Sequence, residues 1–495
     1  MNRSALSLIG VTAALAAVTG IATLTGAGTP EAAPAASAAR LPVERSTLTC
    51  PAPSDSDFAT TQYTSFTPKG DSAGSDGSAR LLPAAGQDGK APKSPKGGAK
   101  PVAPLKAAGK PVTATTRSTD APALIGTADG ALAPGWTVQQ TTVIDAGPAR
   151  AVLGTSCAVP DSEFWFPAVS TASSRQDYVH LTNPDDNSAV VDLELYGPKG
   201  EIKTDTGDGI TVPPGASVPV LLSTLTTEKT DGLTLHVSAR SGRVGASVEA
   251  IDAKAGGDWL AASADPSDTL VMPGIPADAT SVRLVVFATG DDDADLKLRL
   301  AASGGEITPA GHETVHVKSG MTTTVDLGDV TKGEAGSLVL SPSGTTGSAP
   351  VVAALRITRG KGANQETAFL PATEPVGDRS TAADNRGKGS TLALTAPKAD
   401  ATVKVTTSAA TSGGEPVSKT LTVKAGTTVS LSPPAPSGKG TYAVTVQPSS
   451  GGPVYASRML ALPQDGVPMF TVQPMPDDGG LVAVPTSRED LSILN

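Results

Sequence analysis

Residues His312-Glu313-Thr314-Val315-His316 spell H-E-x-x-H, the spacing with which a metalloprotease holds zinc between two imidazoles and uses the glutamate as base. Other groups of residues also have the types that chemistry needs. Gly70-Asp71-Ser72-Ala73-Gly74 fits G-x-S-x-G, the turn that presents a nucleophilic serine. Asp291-Asp292-Asp293 with Asp295 offers hard oxygen ligands of the kind calcium takes. Leu370-Pro371-Ala372-Thr373-Glu374 is close to a sortase sorting signal, with Glu in place of the final glycine. Trp165 and Trp259, with Trp136, are the aromatic faces on which a sugar could stack.

Each of these depends on the element that carries it. Zinc chemistry at H-E-x-x-H needs a helix, where residues four apart lie about 6 Å along the axis. Val315 and Val317 instead alternate as in a strand, where residues four apart stand about 13 Å from each other and one zinc cannot bridge them. A repeat supports the strand reading. Ile210-Thr211-Val212-Pro213-Pro214-Gly215, Val315-His316-Val317-Lys318-Ser319-Gly320 and Leu421-Thr422-Val423-Lys424-Ala425-Gly426 recur about 105 residues apart. A second alternating run follows each copy. His316 sits where Thr211 and Thr422 sit, in the outward polar slot of a repeated strand. The nucleophile-elbow match has neither a strand nor a helix beside it. The acidic run reads as a hairpin loop, and Leu370-Pro371 as a module boundary matched by Leu462-Pro463. No cofactor is implied, and zinc proteolysis at His312, Glu313 and His316 is a remote alternative.

With 495 residues the chain has room for several domains. Only 15 aromatic side chains (Phe 7, Tyr 5, Trp 3) leave the cores to Val, Leu, Ile and Ala. A net charge of −10 opposes nucleic-acid binding, which relies on clustered Lys and Arg. Arg3 and the uncharged stretch Ala5–Pro30, followed by Ala36-Ser37-Ala38, read as an export signal or a retained membrane anchor. Either places the bulk of the protein outside the cytoplasm, secreted or held at the outer face of the membrane. There, two cysteines most simply pair, as Cys50–Cys157. Residues 68–120, rich in Gly, Pro, Ala, Ser and Lys, read as a disordered basic linker that buries too little apolar surface to order itself.

Alternation at period two with turns every 8 to 12 residues predicts an all-β chain of tandem antiparallel, immunoglobulin-like β-sandwiches. The expected divisions are a signal or anchor at 1–38, a small disulfide-stapled β-unit at 39–172 around the linker, and three repeats at 173–268, 269–375 and 376–495. From Cys157 onward the chain resembles a family of exported actinobacterial proteins, domain of unknown function 5719. Cys157, Trp165-Phe166, Leu181-Thr182-Asn183-Pro184, Tyr196-Gly197-Pro198-Lys199-Gly200 and Val212-Pro213-Pro214-Gly215 carry that resemblance. It implies an envelope location and no assigned activity. The functional expectation is a non-catalytic envelope scaffold that binds or spaces, its partner an envelope protein or cell-wall polymer. A carbohydrate-binding protein using Trp165 or Trp259 is the alternative.

Overall fold

Four sandwiches, not three, are built from one strand grammar. The computed structural model describes residues 39–484 apart from 71–75, 91–98, 148 and 345–347. Module 1 spans residues 45–156, module 2 residues 163–260, module 3 residues 270–371 and module 4 residues 380–474. In each, one antiparallel sheet has the first strand beside the sixth, then the third, then the fourth; the facing sheet runs fifth, second, seventh, eighth. Modules 2 and 3 split the fourth strand into two short pieces, and both pair with the third. Alternating Val and Leu supply the inner faces: Leu193, Leu195, Leu235 and Val248 in module 2, and Leu284, Leu298, Leu340 and Leu355 in module 3, are all fully buried. The expectation of tandem antiparallel β-sandwiches is met.

The linker expected at 68–120 is corrected by this arrangement. Strands at Ala79–Pro83, Val102–Leu105 and Val112–Thr116 lie within it and complete module 1. Leu81 and Leu105 are buried in that module's core with Leu48, Tyr63 and Val138. Apolar residues are sparse in this stretch, but they fall at strand spacing, and burial against the rest of the module offsets their small number. The strand Glu163–Ser170 likewise opens module 2 instead of belonging to the unit before it.

The repeated glycine has a specific task. Gly215, Gly320 and Gly426 have φ of 61°, 65° and 68°, which a side chain would strain, and Gly109 in module 1 has φ of 86°. Two residues beyond three of them, a donor reaches the preceding module. The Ser217 amide donates to the Ala85 carbonyl at 2.9 Å. The Thr322 hydroxyl donates to the Tyr196 carbonyl at 2.9 Å, and the Thr428 hydroxyl to the Ala301 carbonyl at 2.7 Å. Module 1 has Pro111 at that position, which has neither an N–H nor a hydroxyl to give.

These contacts run head to tail and close into a ring. The first strand of each module packs on the next: module 2 on 3, 3 on 4, 4 on 1 and 1 on 2. The four eighth strands, Ala151–Ser156, Gly256–Leu260, Asn364–Pro371 and Phe470–Pro474, meet in the same cyclic order at the axis. Each carries side chains into its predecessor. Trp259 packs with Ala59, Ile144, Ala151 and Leu153 of module 1; Phe369 enters the core of module 2; Phe470 and Val472 enter that of module 3. Between modules 4 and 1, Val152 packs with Val467 and Met469, and a polar hub joins the two modules as well. Gln139 donates to Gln473 Oε1 at 2.9 Å, and its own Oε1 accepts from the Asp384 amide at 2.8 Å and Arg458 Nη2 at 2.9 Å.

Trp259→Ala should therefore destabilise the folded chain by about 3–5 kcal/mol, the usual cost of emptying a buried aromatic site. Chemical denaturation followed by far-UV circular dichroism measures this. A loss below about 1 kcal/mol would show that the closing strands do not hold neighbouring modules together.

Candidate functional site

All four connections that follow the eighth strands lie at one end of the ring. Residues 157–161, 261–265, 371–374 and 474–479 surround a cavity of about 440 Å³. Its floor is made by the ends of the closing strands, including Gly154, Thr155, Trp259, Phe369 and Gln473. All three tryptophans of the chain border it. Every connection brings acid: Asp161 from the first, Asp265 from the second, Glu374 from the third, and Asp477 and Asp478 from the fourth, with Glu163 beside them. No Lys, Arg or His is among the lining residues.

The carboxylates are not equivalent. Asp478 is held by Arg379 at 2.6 Å. Asp477 accepts the Asp378 amide at 2.7 Å, and Glu163 accepts Trp165 Nε1 and faces His236. Glu374 is raised above the usual carboxylate range by burial first, with the charge of Asp265 adding to it. On the floor, Gln473 is 3 % exposed and its Nε2 has no hydrogen-bond partner; Trp259 Nε1 has none either.

The structure also places the residues singled out by sequence. Cys50 and Cys157 form a disulfide between the first strand of module 1 and the connection after its last, and Cys157 lines the cavity. Trp165 and Trp259 do not offer open stacking faces. Trp165 is 8 % exposed, stacked on His236 at 3.8 Å between ring centroids and packed on Phe287 of module 3. Trp259 is 2 % exposed. Both serve junctions, because the alternating strands put their side chains on faces that the neighbouring module covers.

H-E-x-x-H lies in a turn followed by the strand Thr314–Val317, as its alternation predicts, and His316 is half-exposed. It meets the acidic run: Asp295 approaches Nδ1 at 2.8 Å and Asp293 approaches Nε2 at 3.3 Å. Carboxylates on opposite nitrogens of one imidazole do not converge on a point where a metal would sit. Apart from Gly70, the G-x-S-x-G match falls outside the described residues, as does the segment 1–38. Ala372 and Thr373 of the sorting-like sequence are buried and bonded to modules 2 and 3. The end of module 4's closing strand that corresponds to Leu370-Pro371 is Gln473-Pro474, not Leu462-Pro463.

A family model matches residues 112–434, under the description family of unknown function DUF5719. The chain belongs to this family. The DUF5719 match begins at the fifth strand of module 1 and runs past the fifth strand of module 4, so it includes three of the four connections around the cavity. No curated protein matches the chain.

Sequence reasoning missed the cavity and a second feature, the buried charges along the axis. Asp258 accepts the amides of Gly154 and Trp259, both at 2.8 Å, and its carboxyl also faces the Thr471 hydroxyl and the Val472 amide of module 4. Glu366 on the closing strand of module 3 is fully buried, its carboxyl set against the backbone amides of Val152 and Gly257. Burial raises Asp258 well above the ordinary range. Burial also pushes Glu366 up to about 9; hydrogen bonding from the Val152 amide opposes this only in part, and the charge of Asp258 adds to it. Glu366 thus keeps its proton in the folded chain at neutral pH and loses it on unfolding. The unfolded state then binds fewer protons, so stability falls as pH rises from the ordinary 4.5 towards about 9. Glu366→Gln should remove up to about 1.4 kcal/mol per pH unit of that slope and raise the melting temperature at pH 8 above wild type. Melting curves from pH 5 to 9 measure this; parallel curves for the two proteins would contradict it.

Proposed function

We propose that this protein is a non-catalytic binding scaffold of the cell envelope, working outside the cytoplasm, and that the axial cavity is where its ligand sits. The cavity itself carries the reading. It is formed jointly by connections from all four modules, so closing the ring builds a seat that no single module possesses. Rigid strands set its floor and connections set its rim, the usual division between scaffold and binding loops. The disulfide supports an oxidising compartment, and the uncharged N-terminal stretch supports export. A wall polysaccharide is the second candidate ligand. It is favoured by the hydroxyl and carboxylate groups around the rim and disfavoured by the commitment of Trp165 and Trp259 to packing.

Ala264→Trp fills the cavity from a half-buried lining position, and Val159→Trp does so from an exposed one. Retention of the purified protein on envelope fractions should fall at least about fivefold in both variants while their melting temperatures stay within a few degrees of wild type. Undiminished retention of either well-folded variant would remove the cavity as the ligand seat.

A further inference from the structure

We infer that the axial cavity takes a peptide segment bearing a basic side chain, its ammonium or guanidinium group at the acidic rim and a backbone carbonyl at the floor. This deepens the reading that the cavity is the ligand seat, and rests on it.

Two independent observations converge. The rim gathers carboxylates from four separate connections, with no cation among the lining residues to neutralise them. Asp478 and Asp477 are committed to Arg379 and to backbone amides, whereas Asp265 and Glu374 reach solvent and the like charge of Asp265 acts on the partly desolvated Glu374. A bound cation would relieve that repulsion, and an anion would increase it. The floor has the opposite need. Gln473 is held in place through its Oε1 by Gln139, which leaves a buried Nε2 with two hydrogens and no acceptor. An unmade hydrogen bond at such a buried donor is costly, and a carbonyl oxygen of the ligand supplies it. A simple polyamine satisfies the rim but not the floor; a neutral sugar satisfies the floor but not the rim. A basic residue within a peptide has both groups, and its methylene stem suits the apolar edges of Trp259 and Phe369 between them. About 440 Å³ accommodates one or two residues of such a segment and not a folded domain.

The tryptophans provide the readout, since all three border the cavity. The full chain is titrated with acetyl-Gly-Lys-Gly-amide, with the same peptide acetylated on Lys Nζ, and with acetyl-Gly-Glu-Gly-amide, following tryptophan emission. A saturable change is expected with the lysine peptide, at least tenfold weaker with the acetylated one, absent with the glutamate one, and weakened by added salt. The double variant Asp265→Asn, Glu374→Gln should bind the lysine peptide at least tenfold more weakly at an unchanged melting temperature. Gln473→Leu, checked for an unchanged melting temperature because Gln473 also belongs to the Gln139 hub, should weaken the lysine and acetylated peptides together without changing their order. Equal binding of the lysine and acetylated peptides, undiminished binding by the double variant, or no response to the lysine peptide overturns the assignment. Those outcomes leave the cavity as a ligand seat untouched, because that reading depends on envelope retention by the cavity-filled variants.

Discussion

The fold depends on closing a heterologous, head-to-tail arrangement of similar modules. Head-to-tail contacts make a ring only if the rotation between neighbours completes a turn; otherwise the array continues as an open helix. Three junctions use one device, a donor two residues past the turn glycine that reaches the end of the preceding module's third strand or, at Ala85, the chain just past it. The fourth cannot use it, because Pro111 stands there. The Gln139 hub replaces it, joining residues more than 240 positions apart in sequence through Asp384, Arg458 and Gln473. Arg458 is lowered to about 10 by burial, against the opposing charge of Asp384. Buried polar groups of this kind contribute less to net stability than to a unique pairing, and a unique pairing is what the last junction of a ring requires.

Closure also explains why ionisable groups are buried at the axis. Four edge strands brought together leave little room, so glycines such as Gly154, Gly256 and Gly257 appear on them, and a side chain at any of the three would collide with its neighbours. Asp258 and Glu366 fill part of that crowded space and meet backbone amides of strands from other modules. The same closure sets the end that holds the cavity. Because each connection leaves its closing strand on the same side of the ring, acids that are hundreds of residues apart share one rim.

Much of the architecture was legible in the sequence. Period-two alternation gave the strands, and the glycine-ended repeat gave three modules and assigned His316 to a strand. The fourth module was written in the same ruler: one further step of about 105 residues before Gly215 lands on Gly109, inside Leu105-Lys106-Ala107-Ala108-Gly109. Its composition hid it, since Gly, Pro and Lys outnumber apolar residues there and composition reports an average where strand formation depends on spacing. The cavity was not legible in the same way. Alternation says which face of a strand is buried, but not whether its own module or a neighbour buries it, so Trp165 and Trp259 read as candidate ligand platforms when they are junction residues. The one sequence signal for the site is modest: acids recur in the connection after each module, at Asp161, Asp265, Glu374 and Asp477.

Small-angle X-ray scattering of the chain lacking residues 1–38 tests ring closure most directly, since closure is what creates both the axial core and the cavity. A closed ring of about 440 residues has a radius of gyration of roughly 22 Å by the scaling of compact proteins, somewhat more with its short tails. Four sandwiches strung end to end would span roughly 110 Å or more, four strand lengths of some 20 Å with their connections, and a rod of that length has a radius of gyration above about 30 Å. A value near the compact figure, with a single-peaked pair-distance distribution, is the predicted result. An extended, multi-peaked distribution would contradict the closed ring.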